Sequence, residues 1–215
     1  MRKTILPARQ ERSRKTLERL LRAAAEVLDK ESLDGATVPR IAAQAGLTPG
    51  AIYRRFPDKD ALLRELCLRV FEKNYQQSQE LLKPERWKDK SLAEMCTSVI
   101  ETTLEGHSRH RGLIRALTFL TLQHLDAVFV RKSAELQWKV FRAASDLLLT
   151  RRSEIRHPDP GSAVPFALLM VGVAARGVLI LPRNPKDLSR LVPDVEVRLQ
   201  RELPKMVLRY LGIES

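Results

Sequence analysis

At 215 residues and 44% apolar content, the chain can bury a sizeable core in one or two small domains, which excludes a disordered or fibrous protein. A net charge of +12 and a pI near 10.1 favour a polyanionic partner such as nucleic acid or an anionic membrane face. Only Cys67 and Cys96 are present, far apart and outside any metal-ligand spacing, so they are expected as reduced core thiols in a reducing, cytoplasmic setting.

The N-terminal "MRKTILPARQERSRK" is basic with no apolar run behind it, which fits neither a secretory signal nor an anchor. Arg2, Lys3, Arg9, Arg12, Arg14 and Lys15 make it a candidate basic arm. Leu17, Leu20, Leu21, Ala24 and Leu28 then recur at helical spacing and predict an amphipathic helix over about 14–31, ended by Asp34 and Gly35. Thr37 is an N-cap candidate for a two-turn helix whose inward face is Val38, Ile41, Ala42 and Ala45 and which stops at Gly46. Thr48 and Pro49 start another short helix, to about Arg55, and Asp58 caps a long helix over 59–82 with Leu62, Leu63, Leu66, Val70 and Phe71 inward. Helix, glycine turn, short helix is the layout of a helix-turn-helix.

"KPERWKDK" at 83–90 reads as a polar linker, followed by helices at about 91–106, 110–124 and 126–151 and a loop at 152–161. The stretch 162–181 is apolar enough for a membrane span but carries Arg176, so a helix buried on most sides is expected, with a second copy of the chain as its partner. "PRNPKD" should break the chain. A last helix at about 194–211 carries Val195, Leu199, Met206, Val207 and Tyr210 on one side, with a kink expected at Pro204. The reading is all-α, with a helix-turn-helix head over 1–58, a connecting helix 59–82, and a second helical unit over 83–215.

The run Thr37, Ile41, Ala42, Ala45, Gly46, Leu47, Thr48, Gly50, Ile52, Tyr53, Phe56, Lys59, Leu62 resembles the N-terminal domain of TetR-type transcriptional regulators across about residues 12–65. The resemblance implies an all-α homodimer in which a small-molecule pocket controls the spacing of two DNA-reading heads, and it assigns DNA binding to 1–58 and effector binding with dimerisation to 83–215. It also implies phosphate contacts from Tyr53 and Lys59, base reading by Arg54, and contacts from Thr37 and Arg40 on the preceding helix. The residues themselves agree. Thr48, Pro49 and Gly50 open a helix whose free N–H groups favour an anion, Arg54 can grip a guanine edge bidentately, Arg55 suits a backbone phosphate, and Pro49 and Ala51 can meet thymine methyls.

For the remainder the expectation is a largely apolar pocket drawn from Met95, Val99, Phe119, Leu122, Phe129, Trp138 and Phe141, suited to a small neutral or anionic lipophile. His107 and His110 lack the companions of a metal site, so no metal ligand, cofactor or catalytic residue is assigned. No phosphate loop, nucleophile elbow or zinc-protease motif supports an enzyme, and the basic residues do not form the face of a membrane-surface helix. The function expected is a ligand-responsive repressor on a near-palindromic operator. The alternative is an architectural or nucleoid-associated DNA-binding protein with no effector.

Overall fold

The computed structural model describes residues 8–31, 33–123, 126–181 and 185–214, and the regular structure among them is helical. In chain order the helices are α1 (Ala8–Lys30), α2 (Val38–Ala45), α3 (Pro49–Tyr53), α4 (Lys59–Leu81), α5 (Leu92–Arg109) and α6 (Arg111–Gln123). They continue with α7 (Ala127–Leu149), α8 (Pro160–Ala175), α9 (Pro185–Leu191) and α10 (Val195–Leu211), and a π-helical turn, Arg176–Ile180, extends α8. The backbone packs as two compact units, residues 1–69 with 112–124, and residues 70–111 with 125–215. The divisions fall inside α4 and between Arg111 and Gly112, whereas the polar linker had suggested boundaries at 58 and 82.

In the first unit, the apolar stripe of α1 is buried at Leu20, Ala24 and Leu28, against α2, whose Ile41 and Ala42 are equally buried. Ile52 of α3 and Leu62, Leu63 and Leu66 of α4 complete this core. Burying each such side chain contributes about 1.5 to 3 kcal/mol, which stabilises helices too short to stand alone. Val70 and Phe71, expected on the same inward face, are only half-buried.

Helix α1 begins at Ala8, earlier than its apolar pattern, because charged side chains extend it. Lys15 pairs with Glu11 and Arg14 with Glu18, each at 3.2 Å and i,i+4 spacing. Arg12, Arg14 and Lys15 are therefore helical and not part of an arm. Arg2 and Lys3 lie outside the described residues.

Helix α6 packs with this first unit although its sequence position suggested the effector domain. The Asp29 carboxylate accepts the Leu113 N–H at 3.1 Å and so caps the first turn of α6 from another helix. Beside it, Gly112 lies so close to α1 that an added Cβ would stand 2.1 Å from the Asp29 carbonyl oxygen.

The second unit is built on α5, α7, α8 and α10, which touch one another pairwise, α7 with α10 apart. A capping box starts α5, with Ser91 Oγ accepting from Glu94 N–H at 3.2 Å and the Glu94 carboxylate accepting from Ser91 N–H at 2.8 Å. Asp126 caps α7 through two N–H donors and Asp159 caps α8 through Ser162 N–H. At the end of α8 the Leu181 N–H donates to Arg176 O at 2.9 Å, a π-type bond that lets five residues make the last turn. The expected break over 182–187 contains the start of α9 at Pro185, a residue well suited to a first helical position. Residues 182–184 lie outside the described residues.

Two faces of α8 are apolar, and they differ in fate. Val164, Leu168, Val171 and Ala175 are buried, while Phe166, Met170 and Val173 are exposed. Helix α10 divides similarly. Leu203, Val207 and Leu211 face inward and Met206 and Tyr210 face out, so the five residues expected on one side divide, with Val207 buried, Val195 and Leu199 half-buried, and Met206 and Tyr210 exposed. Pro204 is buried within an unbroken α10. Cys67 and Cys96 are buried free thiols, and burial pushes both pKa values up to about 12.

Two of the helical glycines, Gly112 and Gly106, separate packing from propensity. Gly112→Ala should destabilise the protein by about 1 to 3 kcal/mol, because the methyl must push α1 from α6. Gly106→Ala, which meets nothing within 4 Å, should be neutral or stabilise by up to about 1 kcal/mol. Urea unfolding of both variants checks the pair.

Candidate nucleic-acid interface

The short helix α3 owes its position to both of its ends. Before it, Gly46 stands at φ 61°, ψ 39°, and the Gly46 and Leu47 N–H groups donate to Ala43 O at 3.0 Å and Ala42 O at 2.9 Å. This is a Schellman closure, and it needs the left-handed backbone that glycine adopts without strain. Thr48 Oγ1 then accepts the Ala51 N–H at 3.3 Å and caps α3, as Thr37 Oγ1 caps α2 through the Arg40 N–H at 3.5 Å. Both hydroxyls spend only a lone pair on the cap, so each keeps an O–H to donate outward. Helix α3 ends at Tyr53, shorter than expected, although Arg54 and Arg55 continue its turn through bonds to Gly50 O and Ile52 O.

Of the expected contact residues, Thr37, Arg40, Thr48, Pro49, Gly50, Tyr53, Arg54 and Arg55 are exposed, and Ala51 and Lys59 are half-buried. Their burial sorts them by helix face. Ile52 is turned in, leaving Tyr53 54% exposed. Gly50 has neither a positive φ nor a neighbour within 4 Å of an added Cβ. Nothing inside the protein requires glycine there.

The cations differ in their commitments. Arg40 pairs with Glu31 at 2.6 Å. Arg55 donates to Ser13 O at 3.0 Å and Ser13 Oγ at 2.7 Å, tying the end of α3 to α1. Lys59 Nζ donates to Leu33 O at 3.1 Å and so braces the start of α4, which Asp58 caps through the Ala61 N–H at 2.7 Å. Arg54 has no ion pair or hydrogen bond through its guanidinium among the described residues. Sequence reasoning had not seen the structural duties of Arg55 and Lys59, because their partners lie 42 and 26 residues away.

The seven expected pocket residues are divided between the two units. Phe119 and Leu122 are on α6 in the first unit, with Leu122 exposed. In the second unit Met95 and Phe129 are buried and Val99 and Phe141 half-buried, whereas Trp138 is 57% exposed, its ring edge-on to Phe141 with centroids 5.4 Å apart. Among the described residues no three His, Cys, Asp or Glu side chains come together as a metal site.

A capped two-turn helix, a left-handed glycine turn and a short helix with an uncommitted arginine define a helix-turn-helix DNA-binding regulator. Residues 20–66 match the sequence profile of the tetR family of bacterial regulatory proteins. No curated protein matches the sequence. Among solved structures, the chain resembles a protein assigned to the TetR-family regulators from Mesorhizobium loti at 18% identity, covering 94% of this chain and 97% of that one, with a TM-score of 0.66. It resembles a tetR-family regulatory protein from Rhodococcus RHA1 at 18% identity over 94% and 99%, TM-score 0.64. It also resembles the transcriptional regulator FadR from Bacillus subtilis, solved with stearoyl-CoA, at 19% identity over 92% and 99%, TM-score 0.63. These likenesses carry the helical fold from end to end.

The glycine turn sets a simple test. Gly46→Ala should cost about 1 to 2 kcal/mol, since any side chain at φ 61° meets the following carbonyl. Guanidinium unfolding measures it, and an unaltered midpoint would remove the turn as the feature that fixes α3.

Proposed function

We propose that the protein is a cytoplasmic repressor that binds a near-palindromic operator as a homodimer and is released by a small lipophilic effector. The observation that carries the DNA reading is the outer face of α3, where Gly50 leaves room for close backbone approach and Arg54 is uncommitted. In a major groove, Arg54 reads a guanine edge, and Pro49 and Ala51 lie against thymine methyls. Thr37, Thr48 and Tyr53 donate hydroxyl protons to phosphates. Arg40 and Lys59 add phosphate contacts by exchanging their present partners, while Arg55 holds α3 and supplies charge.

The expected result for Arg54→Ala is a loss of about 1 to 3 kcal/mol on the operator and distinctly less on scrambled duplex. Gly50→Ala should leave the protein as stable or more so, because alanine is the better helix former, yet weaken DNA binding by placing a methyl on the reading face. Titrations of both duplexes across a salt series measure both effects. Operator binding unchanged in both variants would mean that α3 does not face DNA.

Dimerisation through α8 and α10 is supported by the exposed apolar stripe of Phe166, Met170 and Val173 beside Met206 and Tyr210, with the Phe166 and Tyr210 rings 5.9 Å apart. An isologous contact would cover this face in both copies. Pro160–Ile180 is long and apolar enough to cross a bilayer by composition, but its inner face is already committed to α5, α7 and α10. Val173→Asp and Met206→Asp, at exposed positions, should give folded monomers that lose most operator affinity. Light scattering showing intact dimers for both would exclude this interface.

The pocket is best sought inside the second unit, near Met95, Val99, Phe129 and Phe141, which leaves Phe119, Leu122 and Trp138 with weaker support. FadR from Bacillus subtilis, a structural neighbour, was solved with stearoyl-CoA, which favours a lipophilic effector class here.

A further inference from the structure

In the described interior of the second unit, three buried serine hydroxyls are satisfied and a fourth is not. The buried hydroxyls of Ser78, Ser133 and Ser145 each donate to a carbonyl of their own helix, at 2.8, 2.9 and 3.0 Å. The buried Oγ of Ser108 is different, being the buried side-chain polar atom that lacks a partner among the described residues. Ser108 and His107 sit in the last turn of α5 on either side of the buried Leu104 line, while Glu105, Gly106 and Arg109 face solvent.

The π-helical turn packs against α5 and begins at Arg176, whose charge reaches His107 in the last turn of α5. Its side chain runs back over Gly172, where the missing Cβ would lie 3.8 Å from a guanidinium nitrogen. Arg176 is half-buried and has no hydrogen bond or ion pair through its side chain among the described residues. The nearby cation Arg111 is already neutralised, gripping both Glu196 oxygens at 2.7 and 2.6 Å. His107 adds no charge. Its Nδ1–H donates to Thr103 O at 2.7 Å, and burial, reinforced by the Arg176 charge, holds its pKa below the usual histidine value. The neutral ring leaves Arg176 free for an anion.

Taking the proposed effector response as given, the geometry points to Ser108 and Arg176 as the head-group site for a lipophilic carboxylate, with the tail among the apolar side chains of α5 and α7. A carboxylate supplies what both residues lack, an acceptor for the Ser108 hydroxyl and a counter-charge for the guanidinium fork. The π-turn fits this role. Such turns recur at functional sites.

The test uses the full-length protein with octanoate, dodecanoate and hexadecanoate, each beside the alcohol of equal chain length, below their micellar concentrations. Calorimetry gives affinities and operator titration gives release. At least one carboxylate should bind more tightly than its alcohol. Arg176→Gln should weaken that carboxylate roughly 10- to 100-fold while leaving the alcohol and ligand-free operator binding unchanged, since a charge-assisted bond is lost. Arg176→Lys should recover part of the loss, and melting curves of each variant establish that it folds. Equal affinity for acids and alcohols, or equal losses on both in Arg176→Gln, would overturn the head-group site while leaving effector control intact. Binding without operator release would instead contradict the repressor reading and leave the site standing.

Discussion

A helix of five residues cannot hold its own shape in water, so everything α3 presents is fixed by what surrounds it. The left-handed Gly46 aims the chain, Thr48 caps the first turn, Ile52 is the single buried anchor, and Arg55 fastens the far end to Ser13 of α1. Each tie draws on a different element, and together they leave one face unbound. That face carries Gly50, Tyr53 and Arg54, residues for which the fold itself has no use.

The same logic of borrowed support governs residues 111 and 112, each within its own unit. Arg111 is clamped by Glu196 of α10, and the next residue, Gly112, is pressed against the backbone of α1 with Asp29 capping the turn. Adjacent residues thus serve different units. The long sequence separation of these contacts, 84 and 85 residues, sets the cost of ordering them, and the close approach of Asp29 explains glycine at 112 despite its poor helix propensity.

What could be read from the sequence was whatever is decided locally. The caps at Thr37, Thr48 and Asp58, the stop at Gly46 and the buried stripes of α1, α2 and α4 depend on neighbours within four or five residues, and they lie where the sequence put them. Allegiances across the chain were not legible. Nothing near residues 111–123 signals that α6 belongs with α1, and nothing near Arg55 or Lys59 names Ser13 or Leu33 as a partner. Helix α10 misled for another reason, since it is apolar on both sides and periodicity alone does not say which side faces the core. The π-turn at Arg176 has no sequence signal at all.

The central claim is that two copies of the α3 face read one stretch of DNA. Selection of bound fragments from random duplex by the purified protein tests it most directly. The account predicts enrichment of an inverted repeat whose half-sites each contain a guanine protected by Arg54, with the half-site centres about one helical turn, or a multiple of it, apart. Recovery of unenriched sequence, or of an asymmetric site bound by a single copy, would contradict it.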